Sequence, residues 1–150
     1  MTNSVNATSS LNQQAPAQLA FLGMGLMGSR MALRWLQAGY PVSVWNRTPI
    51  ACEPLLAAGA FGISAPDQLA ECTVIALCLA DDAAVEAVAD WVIPGLRAGQ
   101  VVVDFSSSSV ELTQRLALAA QRQQANWIDC PVSGGVMGAE HGTLVMFAGG

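Results

Sequence analysis

Residues 23 to 28 read Gly23-Met24-Gly25-Leu26-Met27-Gly28, a glycine spacing suited to holding a pyrophosphate. An apolar run precedes it and an amphipathic stretch follows, so the hexamer sits where a strand turns into a helix. In that setting Gly23 allows the tight turn and Gly25 lets the backbone approach the phosphates where a Cβ would clash. Gly28 lets the helix pack close to the strand. Met24, Leu26 and Met27 complete the loop, and the first helical turn offers free N–H groups and the positive end of its dipole to an anion. A glycine-rich turn that binds nothing is the competing reading.

A second signal is Asn46-Arg47-Thr48, at the end of the next predicted strand. A site that prefers NAD normally carries Asp or Glu here, accepting from the ribose 2′-hydroxyl. Asn46 removes the charge that would repel a 2′-phosphate, Arg47 supplies a delocalised cation with a fork of donors, and Thr48 adds a hydroxyl. This pattern favours NADP(H) over NAD(H). The alternative is that Arg47 is a solvated loop residue and Thr48 only caps the following helix.

Other chemistry-bearing residues carry less. The four cysteines, Cys52, Cys72, Cys78 and Cys130, show no C-x-x-C spacing and no histidine cluster, so no metal site is expected. Reduced thiols in the cytoplasm are the plain reading. The single histidine, His141, lies between Glu140 and Gly142 and reads as an exposed turn residue.

The elements that must position these residues follow from an alternation of short β-rich runs with amphipathic or alanine-rich segments, the pattern of βαβ units with a parallel sheet. The predicted strands are Leu19 to Leu22, Val42 to Trp45, Phe61 to Ile63, Val74 to Leu79, Val101 to Phe105, Trp127 to Ile128 and Leu144 to Ala148. Most are continuous apolar runs, as expected of strands covered on both faces. Met27, Met31, Trp35 and Ala38 fall on one helical face, and that helix stops at Gly39; Ile50 to Ala58 stops at Gly59 in the same way. Ser64 with Asp67, and Ser108 with Glu111, have capping-box spacing, the second for a helix running to about Gln123. Asp81 or Asp82 caps a helix over Ala83 to Trp91.

The composition fits one domain of this kind: 53% of residues are apolar, 11% are charged, and the net charge is -5. The basic residues are scattered arginines, giving no stripe to neutralise a nucleic-acid backbone. The longest apolar run, Val74 to Ala80, is too short to span a bilayer. Met1 to Ala17, rich in Asn, Ser, Thr, Gln and Ala, lacks the regions of a secretory signal and reads as a disordered tail before a domain over 18–150.

The stretch Leu19 to Gly150 resembles the β-hydroxyacid dehydrogenase family, which includes 3-hydroxyisobutyrate dehydrogenase, tartronate semialdehyde reductase and relatives of 6-phosphogluconate dehydrogenase. The carriers are Phe21 to Gly28, Asn46-Arg47-Thr48, and above all Asp129-Cys130-Pro131-Val132-Ser133-Gly134-Gly135 with Gly138-Ala139-Glu140 and Gly142-Thr143-Leu144. The resemblance implies a Rossmann-type, doubly wound α/β fold in three layers. It implies that Ser133, Gly134 and Gly135 bind the carboxylate of a small-molecule substrate, a role consistent with small residues that expose backbone N–H groups. It also implies that Leu79 and Ala80 lie along the cofactor, as does the serine cluster at the end of the Val101 to Phe105 strand. There Ser107 takes the place of the family's threonine, and Val110 that of its proline, which loosens the loop.

In the family, the general acid/base is a lysine on a helix beyond the position of Gly150, followed one turn later by an asparagine. The present chain has no lysine, so no catalytic residue is assigned within it. The sequence therefore reads as a truncated NADP-binding half without the helical substrate domain, binding cofactor but not turning over, with homo-oligomers expected only of a full-length enzyme. An imine reductase is the nearest rival, suggested by Val44 to Pro49 and Glu53-Pro54-Leu55, although the Pro131 to Gly135 block argues against it. A non-catalytic NADP-binding or interaction module is another.

Overall fold

Short runs of leucine, valine and isoleucine can be buried on both sides only where helices cover both faces of a sheet, and these runs are so arranged. A computed structural model describes residues 17–150. Its main sheet is built from β1 (Leu19–Leu22), β2 (Val42–Trp45), β3 (Phe61–Gly62), β4 (Val74–Leu77), β5 (Val101–Asp104) and β6 (Asn126–Asp129). All neighbouring pairs are parallel, in the order β3-β2-β1-β4-β5-β6. This is the strand order of a Rossmann fold, with the expected αβα layering. The tail expected over 1–17 lies, apart from Ala17, outside the described residues.

Alternation along the strands divides the core in two. Ala20, Leu22, Ile75, Leu77 and Val102 face α3 (Asp82–Val92) and α4 (Val110–Arg122), whose Val85, Val88, Val92, Leu112 and Leu116 close that side. Leu19, Phe21, Val42, Val44 and Ala76 face the other way, onto Met31 of α1 (Leu26–Gln37), Leu55 of α2 (Glu53–Ala57) and Ala139 of α5 (Gly135–His141). Phe21 is fully buried there, with Trp35 edge-on at 5.1 Å between ring centroids. Burial of a side chain of this size is worth about 2 to 3 kcal/mol. Among the described residues no helix is long and apolar enough to cross a membrane.

Several boundaries differ from the sequence expectation. β4 ends at Leu77, not Leu79, because the Leu79 N–H turns to the Ser106 hydroxyl at 2.9 Å. β5 ends at Asp104, one residue before Phe105, and β6 extends one residue beyond Trp127 to Ile128 at each end. The helix expected over Ile50 to Ala58 is divided into a 3-10 turn, Pro49–Cys52, and α2; Pro54 has no N–H to continue a ladder from Ile50. Ser64 and Asp67 form no capping box: the Gln68 carboxamide reaches back to accept from the Ser64 and Ala65 N–H groups. Asp81, not Asp82, caps α3, accepting from the Ala84 N–H at 2.9 Å. Ser109, not Ser108, caps α4.

The largest departure lies after β6. The strand expected over Leu144 to Ala148 contracts to β8 (Val145–Met146), which pairs antiparallel with β7 (Val132–Ser133) outside the main sheet. Between them runs α5, so exposed His141 ends a helix instead of occupying a free turn.

Candidate functional site

The site forms where the chain reverses direction across the sheet. From β1 it moves outward to β2 and β3, then returns to β4 on the other side of β1, which opens a crevice beyond the carboxyl ends of these strands. A cleft of about 380 Å³ occupies that position, lined by Gly23, Gly25, Trp45, Asn46, Arg47, Thr48, Cys78, Leu79, Ala80 and a face of α3.

The three glycines have different physical reasons. Gly23 has φ +106°, and a Cβ there would collide with the Cys78 carbonyl oxygen. Gly28 is buried at the strand–helix crossing, where a Cβ would collide with the Gly23 carbonyl oxygen. Gly25 differs from both: its φ of -73° suits any residue, and no atom of the protein lies within 4 Å of where its Cβ would be. It borders the cleft, so the absent side chain leaves room there for an incoming group. No side chain caps α1 and no acidic residue sits in its first turn, so its positive end faces the cleft without a competing anion.

At the end of β2 the Asn46 carboxamide accepts from the Met24 N–H at 2.8 Å and donates to the Thr48 carbonyl at 3.0 Å. Asn46 therefore ties the glycine loop to the β2 turn, and the Met24 N–H is already used within the protein. Arg47 and Thr48 are exposed, and Arg47 takes part in none of the ion pairs among the described residues. Beside the cleft, burial, reinforced by the charge of Asp104, pushes the Cys78 thiol up to about 11, so Cys78 adds no negative charge there at pH 7.

Seven of the sequence-predicted residues thus share one cleft: Gly23, Gly25, Asn46, Arg47, Thr48, Leu79 and Ala80. Met24 points its side chain into the core, Met27 packs partly against that core, and Gly28 lies beneath the turn. Leu26 is 70% exposed and borders a separate shallow groove along α1. Ser107 is exposed beyond β5 and does not line the cleft. Ser133, Gly134 and Gly135 are exposed together at the junction of β7 and α5, apart from the cleft walls. Gly134 and Gly135 both have positive φ, +131° and +61°, a backbone that consecutive glycines allow.

Sequence reasoning missed the α3 wall. Ala84, Ala87, Val88 and Trp91 line the cleft, and Trp91 stacks on Trp45 with ring centroids 5.5 Å apart. Their i, i+3, i+4, i+7 spacing is readable, but α3 is apolar on its core face as well, so nothing in the pattern marks the cleft side. Nearby, hydrogen bonds from Ser109, its hydroxyl first and then its backbone, hold the Asp82 carboxyl below the usual carboxylate range. Among the described residues no group of His, Cys, Asp and Glu could hold a metal ion.

Residues 18–150 match the family described as the NAD binding domain of 6-phosphogluconate dehydrogenase. The chain is 34% identical to glyoxylate/succinic semialdehyde reductase 2, chloroplastic, of Arabidopsis thaliana, over 95% of this chain and 41% of that protein. The structure of 3-hydroxyisobutyrate dehydrogenase from Mycobacterium tuberculosis with L-serine superposes with a TM-score of 0.85 and 31% identity, covering 91% of this chain and 47% of the other. A structure described as Psf3 in complex with NADP+ and 2-OPP superposes with a TM-score of 0.79 and 33% identity, covering 87% and 48%. The chain therefore spans under half the length of these relatives.

Proposed function

The chain belongs to the NAD-binding domain family of 6-phosphogluconate dehydrogenase, within the β-hydroxyacid dehydrogenases, and from that premise we propose that its cleft takes NADP(H) in preference to NAD(H). The observation that carries this reading is the turn after β2, where Arg47 and Thr48 are exposed on the cleft, Arg47 takes part in none of the ion pairs among the described residues, and no carboxylate lines the cleft beside them. The pyrophosphate would lie against the N–H groups that begin α1. Arg47 and Thr48 would take the 2′-phosphate, with Asn46 keeping that turn free of negative charge and fixed to the loop. Leu79 and Ala80 would form the wall along the rest of the cofactor, with Ser107 beyond them.

When bound, NADP(H) supplies the hydride chemistry. For the longer enzyme that the family implies, the reaction is hydride transfer to or from a small 3-hydroxyacid or semialdehyde. Ser133, Gly134 and Gly135 would hold the carboxylate through hydroxyl and backbone donors. These 150 residues contain no lysine, so the general acid/base would come from sequence outside them. By this reading they bind cofactor without turnover, and homo-oligomers belong to the full-length enzyme. The partner in this reading is a small-molecule carboxylate, and the net charge of -5 with scattered arginines offers no basic stripe for a nucleic-acid backbone. The four unpaired cysteines accord with a reducing compartment, the cytoplasm in our reading.

Calorimetric titration of the chain with NADPH and NADH tests the proposal. NADPH should bind at least about tenfold more tightly, and Arg47→Ala should abolish the difference, the effect of losing charge-assisted hydrogen bonds. Equal affinities in the wild type would reject the cofactor preference.

A further inference from the structure

The glycine loop is held from two sides. From β2, Asn46 accepts from the Met24 N–H. From β4, the Cys78 carbonyl and the Leu79 side chain pack so closely on Gly23 that no Cβ would fit. Leu79 is itself fixed from β5, since its N–H donates to the Ser106 hydroxyl oxygen at 2.9 Å. Ser106 is 3% exposed, and its own N–H donates to Asp104 Oδ1 at 2.9 Å. Asp104 is fully buried, and its second oxygen accepts from the Ser108 hydroxyl at 2.8 Å.

A buried carboxylate without a cation is costly unless hydrogen bonds satisfy it. Asp104 takes part in none of the ion pairs among the described residues, and both its oxygens are occupied by the serine loop it precedes. The contacts run Asp104 to Ser106, Ser106 to Leu79 and Leu79 to Gly23, crossing the ends of three adjacent strands, β5, β4 and β1. Neither Asp104 nor Ser106 lines the cleft, whereas Leu79 and Gly23 both do.

We infer that Asp104 and Ser106 are positioning residues of the cofactor cleft, setting the Leu79–Ala80 wall and the Gly23 turn from beneath without touching the ligand. The inference rests on the dinucleotide reading of that cleft. It also separates the serines that follow Asp104: Ser106 braces the wall, Ser108 satisfies the second carboxylate oxygen, and Ser109 caps α4.

The test is Ser106→Ala in the full chain, a substitution that removes one hydroxyl and leaves the core volume nearly unchanged. Two readouts are needed: amide hydrogen exchange at Leu79, and affinity for NADPH beside adenosine 2′-monophosphate, whose single phosphate reaches the Arg47 end without a 5′-phosphate on the glycine loop. Exchange at Leu79 should accelerate about tenfold, and NADPH should weaken about fivefold, the scale of one lost hydrogen bond. The monophosphate should change by less than about twofold, since its phosphate contacts lie away from the brace. Asp104→Asn keeps an acceptor for the Ser106 N–H and can donate to Ser108, so it should retain the protection of Leu79. Unchanged exchange at Leu79, unchanged NADPH affinity, or equal weakening of both ligands would overturn the inference. If the wild type binds neither nucleotide, the cofactor reading fails by itself. The exchange readout then still decides the brace: lost protection supports it and unchanged protection overturns it.

Discussion

Glycines that look alike in a motif part company when the space around each is considered. Gly23 and Gly28 are required by the protein's own backbone, whereas Gly25 faces open space at a φ that any residue adopts. Substitutions should separate the two classes. Gly28→Ala, which forces a Cβ onto the Gly23 carbonyl, should destabilise the fold by about 1 to 3 kcal/mol. Gly25→Val should leave the unfolding midpoint nearly unchanged and lose NADPH binding. Paired denaturation curves and titrations would check this, and a Gly25→Val protein that binds NADPH normally would remove the main support for a phosphate site. The glycine spacing was readable in the sequence; which glycines the backbone itself requires depends on neighbours, Cys78 and Leu79 beyond β4 for Gly23 and the Gly23 carbonyl for Gly28. The run Ser106 to Ser109 shows the same limit. Four identical side chains carry the same capping signal, and only the burial of Asp104 and the turn of Leu79 assign them different partners, which is why the expected cap at Ser108 falls one residue later.

Among the elements, β1, α1 and β2 were legible because apolar periodicity, the glycine loop and the stop at Gly39 all agree. Helix α5 was not. Its span includes Gly135 and Gly138, residues of low helical propensity, and it exists by packing against α1: Ala139 is buried, and the Arg34 guanidinium lies over Gly142 at the helix end. Tertiary packing overrides the local signal here. The α3 wall was hidden for another reason: apart from the polar strip of Asp82, Glu86 and Asp90, its apolar surface runs from the core face onto the cleft face and gives no contrast between the two. Trp91 is the exception with a measurable consequence, because its stack on Trp45 joins α3 to the β2 end just before Asn46, Arg47 and Thr48. Trp91→Ala should lower stability by about 2 kcal/mol through lost packing and aromatic contact. It should also weaken adenosine 2′-monophosphate more than Ser106→Ala does. Denaturant unfolding and a titration would measure both, and an unaltered monophosphate affinity would confine Trp91 to a packing role.

At the scale of the whole molecule, two apolar layers clamp a parallel sheet and leave one end, the carboxyl ends of β1, β2 and β4, for binding. Seven predicted residues converge there, while Ser133, Gly134 and Gly135 stand apart on a separate two-stranded ribbon and α5. In the proposed reading the cleft takes the cofactor and the ribbon the substrate carboxylate. The most direct measurement is a map of amide chemical-shift changes in the isotopically labelled chain as NADPH is added. Changes should concentrate at Gly25, Leu26 and Met27, at Arg47 and Thr48, at Leu79 and Ala80, and at the indole of Trp91, with the ribbon at 133–135 much less affected. Changes centred on any other surface, or none at saturating NADPH, would contradict the assignment of this cleft to the cofactor.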